Sequence, residues 1–386
     1  MPLINGRQYA ERYDCAFIGT STISLLEAIY QHRQGKRILM VDDQPRIGGV
    51  WVSLELFGLH DVENAIHYFI YDRAGIEFMR SVLGWNVIES PRKFRIFPAP
   101  VLGLRRIRYD NPLSLIAARM REAGAGTPDS QRGMFRKAGM LVRALREATT
   151  REGKSHYFAG GTPDMMRHVE TLARKAPLDM LLDTSIERLH FDRQAGHVLI
   201  GTSRGELSTD CIFITHGARL RNLTTGSGKI EVAKEVHRRP QIHLLIRDAT
   251  PTQVYEGIFV ADNLIKYVHD VTRFTREAAA LDHRKKLLVV ALQHDCEHSD
   301  LLYATVLGKL KSSGIVGKDA ALEQTHWYES YLPELSTATL DSLKQDLHPM
   351  VDALSSDNFC GAIGLYGQRW QTALKETPDP SPSIPH

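Results

Sequence analysis

Apolar residues first fall into a short unbroken run, Ala16 to Ile18 ahead of Gly19, and then take helical spacing from Leu25 to Arg33. A second unbroken run follows from Arg37 to Val41, with Gly35 punctuating the join. Continuous apolar runs mark strands covered on both faces, and the 3.6-residue spacing marks a helix packed along one side. The pattern predicts a strand, turn, helix, strand opening with parallel strands. A right-handed crossover puts the strand-to-helix turn at the carboxyl edge of the sheet, where a helix N-terminus offers unpaired N–H groups to a phosphate.

From about Asn86 to Arg151 the pattern becomes mixed and basic: Arg92-Lys93-Phe94-Arg95-Ile96-Phe97-Pro98-Ala99-Pro100 reads as a strand pair, followed by Arg-rich helices. This stretch is predicted to be an insertion. The core pattern returns at Gly160, with a helix over Pro163 to Ala176 and then three β-like runs, 178–192, 197–210 and 211–220. Further strands are predicted over 241–249, 256–262 and 284–293, and the last hundred residues are predicted to be mostly helical. No repeat with a period of 20 to 50 residues is present.

Composition narrows the function classes. At 386 residues the chain is long enough for one large α/β unit with insertions or two interleaved domains. A net charge of +3 is too mild for a phosphate-backbone binder, so no nucleic-acid partner is expected. The densest basic patch, Arg105-Arg106-Ile107-Arg108, reads as a solvated helix face or an anion-binding site. Cys15, Cys211, Cys296 and Cys360 lack any CxxC spacing, which points away from zinc and disulfides and toward a reducing cytoplasm. No run approaches the roughly 18 apolar residues of a membrane span. The Pro/Ser-rich residues 377–386 read as a flexible tail.

The chemistry sits in the first turn. A dinucleotide fingerprint GxGxxG uses its glycines for a tight turn, close approach of backbone to pyrophosphate, and packing of helix on strand. Gly19 fills the first place, whereas Ser21 and Ser24 fill the second and third. Ser21 either crowds the pyrophosphate or donates a hydroxyl hydrogen bond to it. Asp42, at the end of the second strand, is placed to accept from adenosine ribose hydroxyls, and Gly48-Gly49 allows backbone to pass close to a bound nucleotide.

Strand, glycine turn, helix, strand ending in Asp42, then Arg46-Ile47-Gly48-Gly49 resembles the FAD-binding entry of the amine oxidase and protoporphyrinogen oxidase superfamily, which includes UDP-galactopyranose mutase-like proteins. Ala65-Ile66-His67-Tyr68-Phe69 is similar to the mutase Gly-x-His-x-Phe segment, with Ala65 in place of the glycine. Phe158-Ala159-Gly160-Gly161 and the following helix, and the strands from Thr184-Ser185-Ile186 to Thr215-His216-Gly217, resemble the return to the FAD domain. The resemblance implies an α/β fold: a Rossmann-like, glutathione-reductase-like FAD/NAD(P)-binding domain over 12–85, 155–225 and 340–376, with an inserted α+β substrate domain over 86–154 and 226–339. It implies FAD as cofactor, with NAD(P)H a candidate reductant. The implied cofactor-binding residues are Gly19, Ser21, Ser24, Asp42, Gly48, Gly49, Ile186, Thr215 and Gly361. The implied catalytic residues are His67 near the flavin and Tyr267 with Arg273 on the substrate; His67 equally reads as a core histidine.

Departures from the family pattern concentrate toward the C-terminus, where Cys360-Gly361-Ala362-Ile363-Gly364 is the counterpart of the segment bracketing the flavin and Arg369 is displaced. His294 and His298 stand four apart but lack a third ligand, so no metal site is expected. Trp327, Tyr328 and Tyr331 read as a packing cluster, and no GxSxG, P-loop or HExxH pattern occurs. Three functions remain open: an FAD-dependent oxidoreductase on a small molecule, a flavin-dependent mutase on a nucleotide sugar, and a cofactor-free relative.

Overall fold

The computed structural model describes residues 12–49, 51–64, 73–91, 94–98, 107–108, 154–192, 194–215, 220, 223–225, 228–230, 234–247, 256–260, 262–275, 277–278, 281–293, 296–335, 341–343, 345, 351–354 and 359–375. Its centre is a five-stranded sheet of β1 (Cys15–Ile18), β2 (Ile38–Val41), β3 (Asp179–Leu181), β4 (Ile212–Thr215) and β5 (Val351–Leu354), in the order β3-β2-β1-β4-β5. Every neighbouring pair is parallel. Every position of β1, β2 and β4 is buried, which is why these segments are unbroken apolar runs.

The two faces of this sheet are covered differently. On one lie helices α1 (Thr22–Arg33), α2 (Arg73–Ser81), α3 (Gly161–Lys175) and, later in the chain, α5 (Phe359–Lys375); Phe17, Met40 and Phe213 pack there with Leu25, Met79, Met165 and Trp370. Phe17 and Phe213 stack at 4.7 Å between ring centroids. On the other face Ala16, Ile18, Leu39 and Ile214 pack against Leu189, Val198 and Ile200 of a six-stranded sheet.

A seven-stranded sheet runs in the order Ala321–Leu335, Lys234–Arg247, Lys286–Leu292, Ile265–Asp270, Glu256–Val260, Phe94–Pro98, Ile107–Arg108. Alternation along its strands turns Ile242, Leu244, Leu288, Val290 and Val268 toward Leu302, Val306 and Leu310 of α4 (Asp300–Ser313).

Several expectations are corrected. The segment read as a strand pair around Phe94–Pro98 is one strand, paired with Glu256–Val260 and with Ile107–Arg108, while Val87–Pro91 pairs with Lys154–Phe158. Among the described residues of the last hundred, helices share the stretch with a 15-residue strand that was not expected, Ala321–Leu335, held by a 14-position ladder to Lys234–Arg247. That strand also divides the expected aromatic cluster, since adjacent Trp327 and Tyr328 point to opposite faces. Residues 109–153, 377–386 and His294 lie outside the described residues.

Glu27 on α1 is fully buried, an unfavourable place for a carboxylate unless it is paired. It accepts from Gln31 Nε2 at 2.8 Å, Trp370 Nε1 at 2.9 Å and Arg369 Nη2 at 2.5 Å. Arg369 thus joins α5 to α1. Glu27→Ala removes the shared acceptor and is expected to cost about 3 kcal/mol, because breaking a buried pair leaves its partners unsatisfied; urea unfolding followed by tryptophan fluorescence measures it.

Candidate functional site

The chain leaves β1 toward β2 on one side and returns as β4 and β5 on the other, so the carboxyl end of β1 is where strand order reverses. Open α/β sheets bind ligands at such a crevice. Gly19 stands there with φ +94°, a conformation costly for any residue with a Cβ, and its N–H donates to Val41 O at 2.9 Å.

Thr20 donates both its N–H (2.8 Å) and its hydroxyl (2.5 Å) to Asp42 Oδ2, while Gln44 N–H donates to Oδ1 at 3.0 Å. Asp42 therefore ties the ends of β1 and β2 together. Oδ1 retains capacity for a second donor.

Ser21 is the N-cap of α1. Its Oγ accepts from Ser24 N–H at 3.3 Å and lies 3.2 Å from Ser24 Oγ. Here the serines in place of fingerprint glycines act as a cap and its buried partner. The first helical bond runs from Leu25 N–H to Ser21 O, leaving the N–H groups of Thr22 and Ile23 as the open donors of the turn among the described residues. The Thr22 hydroxyl is buried and has no hydrogen-bond partner among the described residues.

Gly48 and Gly49 close over this turn. Gly48 N–H donates to Thr20 O at 2.9 Å, and a Cβ built on Gly49 would stand 3.7 Å from Ser21 Cα and Cβ. Thr215, at the end of β4, donates its hydroxyl to Ile18 O at 3.3 Å. Gly19, Ser21, Ser24, Asp42, Gly48, Gly49 and Thr215 are thus brought to one edge of the sheet. Ile186 opens a strand of the six-stranded sheet, its side chain packed with Leu181 and Leu189, and Gly361 lies in the first turn of α5, which follows β5. His67 lies outside the described residues.

Tyr267 and Arg273 each have partners of their own among the described residues. Arg273 Nη2 donates to Tyr157 Oη at 2.8 Å, and its guanidinium sits over the Tyr157 and Phe274 rings. Tyr267 stacks on His269 at 4.7 Å between ring centroids and shares a row of the sheet with Gln241. Burial pushes the Tyr267 phenol up, against the nearby charge of Arg239.

Two further features escaped the sequence. Glu63 is buried and accepts from Thr162 N–H and, at 2.8 Å, Thr162 Oγ1, so a carboxylate already caps α3. Gly161, with φ +69°, makes room for it: an added Cβ would lie 2.1 Å from Glu63 Oε1. No spacing rule links residues 99 apart.

The other feature is the face of the seven-stranded sheet turned away from α4. Register aligns Tyr328, Gln241, Ala291 and Tyr267 in one row, and His326, His243, Val289, His269 and Glu256 in the next. This face is polar yet largely closed to solvent. His243 is fully buried with neither ring nitrogen partnered, and its pKa is pushed down to about 3 by burial, then by His326. The signal is Gln241 and His243 alternating with Ile242 and Leu244.

No protein-family model and no curated protein sequence matches the chain. Solved structures do. A candidate protoporphyrinogen oxidase from Exiguobacterium sp. 255-15 aligns over 96% of this chain and 100% of its own at TM-score 0.60 and 10% identity. Cyclohexylamine oxidase from Brevibacterium oxydans IH-35A aligns over 94% and 98% at 0.61 and 13%. Reduced UDP-galactopyranose mutase aligns over 94% and 92% at 0.61 and 12%. The chain shares the fold of these solved structures. Among the described residues of this fold, no three His, Cys, Asp or Glu side chains cluster as a metal site, and no helix is long and apolar enough to cross a membrane.

Two outcomes follow from the geometry. Gly48 has φ +114°, and an added Cβ would lie 2.2 Å from Met166 Cε. Gly48→Ala is expected to cost about 1–3 kcal/mol, and adding Met166→Ala to relieve the clash is expected to recover only part of it because the backbone strain remains; thermal unfolding of both variants decides this. His243 takes up its proton far more readily unfolded, near pH 6.5, than folded. Its contribution is present in full above pH 6.5 and is lost as pH falls toward about 3. Between pH 7.5 and 5 the expected loss is about 2 kcal/mol, absent from His243→Leu in paired urea titrations.

Proposed function

We propose that the chain is an FAD-dependent oxidoreductase acting on a small polar molecule. The observation that carries this reading is the buried Thr22 hydroxyl without a partner, in the same first turn as the open N–H groups of Thr22 and Ile23. A buried hydroxyl left unmatched costs free energy, and a pyrophosphate oxygen at a helix N-terminus satisfies hydroxyl, N–H groups and helix dipole together. The residues present therefore fit the cofactor. Thr22 and the first turn would hold the pyrophosphate, Asp42 Oδ1 would accept from a ribose hydroxyl, and Gly48-Gly49 would let backbone approach closely.

FAD, when bound, supplies a two-electron acceptor. The chain supplies position and exclusion of water. On this reading the parallel sheet and its helices form a Rossmann-like FAD domain, and the seven-stranded sheet belongs to the inserted α+β substrate domain, offering its polar face to the substrate. The nucleotide-sugar alternative draws on residues 58–69 and on the Arg-rich insertion, of which residues 65–69 and 109–153 lie outside the described residues.

Titration of the purified protein with FAD, followed by visible absorption and tryptophan quenching, tests the reading. Saturable uptake is expected, with flavin bands that bleach under dithionite. Thr22→Val, which keeps shape and removes the hydroxyl, is expected to weaken FAD about tenfold while leaving apo-protein stability unchanged or slightly raised. No uptake by the wild-type chain would refute the proposal.

A further inference from the structure

The open edge of the five-stranded sheet carries a cavity that the candidate cofactor site does not use. β3 ends the strand order, and between it, the last turns of α3 and the loop after Asp42 lies a cavity of about 550 Å³. None of the implied cofactor-binding residues lines it. Ile47, Leu178 and Leu182 give it apolar walls, and a cavity of this size with apolar walls and a few polar groups suits a small organic molecule. Three cations, Arg46, Arg174 and Lys175, and two carboxylates, Glu170 and Asp179, share the lining and leave a net charge of +1. The carboxylates are already engaged: Glu170 pairs with Arg174 at 3.6 Å, and Asp179 accepts from Tyr13 Oη at 2.8 Å. Arg46 and Lys175 are exposed and have no carboxylate partner among the described residues. The charge left over matches a single negative charge.

β3 adds backbone groups to this lining. Its ladder aligns Asp179, Met180 and Leu181 with Leu39, Met40 and Val41 of β2, and Asp42 N–H donates to Leu181 O at 2.9 Å. Alternate residues of a parallel strand face opposite sides, so Leu181 faces β2 and Met180 turns its N–H and C=O to the edge, where no described strand follows. Met180 also lines the cavity. A strand edge pairs with a peptide-like amide as it would with a further strand. The lining thus calls for a carboxylate at Arg46 and Lys175, an amide at Met180 and an apolar body between the walls. We propose that this cavity binds an N-acylated amino acid with an apolar side chain, its amide on the edge of β3 and its carboxylate against Arg46 and Lys175. The inference goes beyond the oxidoreductase reading and does not rest on it.

Calorimetry on the full chain with three compounds tests the site: N-acetyl-L-phenylalanine, its primary amide, which removes the charge, and 3-phenylpropionate, which removes the acylamino group. N-acetyl-L-phenylalanine is expected to bind about tenfold more tightly than either of the others. Arg46→Met and Lys175→Met, both at exposed positions, are each expected to reduce the preference for the acid over its amide, and the double variant to erase it. Lys175→Met is expected to leave FAD titration unchanged. Equal or absent binding of the acid and its amide, or a double variant with undiminished preference, overturns the proposal. So does equal binding of N-acetyl-L-phenylalanine and 3-phenylpropionate, because the edge of β3 then contributes nothing. Displacement of N-acetyl-L-phenylalanine by FAD would put the acid in the cofactor's seat and overturn the proposal as well. Selective binding of the acid by a chain that takes up no FAD contradicts the oxidoreductase reading and upholds the site; FAD uptake without that selectivity does the reverse.

Discussion

The hydrogen bonds from Thr20 to Asp42 are the constraint on which the site depends. They join the carboxyl ends of β1 and β2 at the point where strand order reverses, with Gly19 in a left-handed conformation. That geometry fixes where α1 begins, and α1 in turn fixes the open N–H groups. Gly48 docks on Thr20 through its own N–H, so the second glycine pair is registered on the same clamp. Charge-assisted hydrogen bonds to a buried carboxylate are among the stronger polar contacts in a protein, which suits a turn that must hold its shape before any ligand arrives.

Around this clamp the molecule separates stability from recognition. Glu27 and Glu63 are buried carboxylates with every oxygen occupied by the chain's own donors, and each ties a helix into the fold. Thr22, Gln241 and His243 are buried polar groups with atoms left unmatched. Unmatched groups cost free energy in the unliganded protein, and that cost gives the binding partner its advantage. The two kinds of buried polar residue are told apart only by their partners.

The opening strand, turn, helix, strand unit was legible because its periodicity is strong and local. The serines at positions 21 and 24 were legible as departures, but not as a cap and its partner, since that depends on the helix starting at Thr22. Asp42 was correctly singled out as an acidic strand end, yet its bonds to Thr20 follow from strand pairing across residues 22 apart. The long strand Ala321–Leu335 was missed because its alternation, with Trp327 against Tyr328 on two faces, mixes large side chains on both sides and hides period two. Glu63 capping Gly161-Thr162, and the neighbourhood of Arg239 and Tyr267, are made by tertiary pairing alone.

Hydrogen–deuterium exchange of the full chain with and without FAD tests most directly whether the turn is the cofactor's seat. If it is, the amides of residues 19–24 and 46–49 slow markedly on addition of FAD, and the strands of the seven-stranded sheet change far less. Unchanged exchange in the turn, with protection elsewhere or nowhere, would contradict it and leave Thr22 without the partner assigned to it.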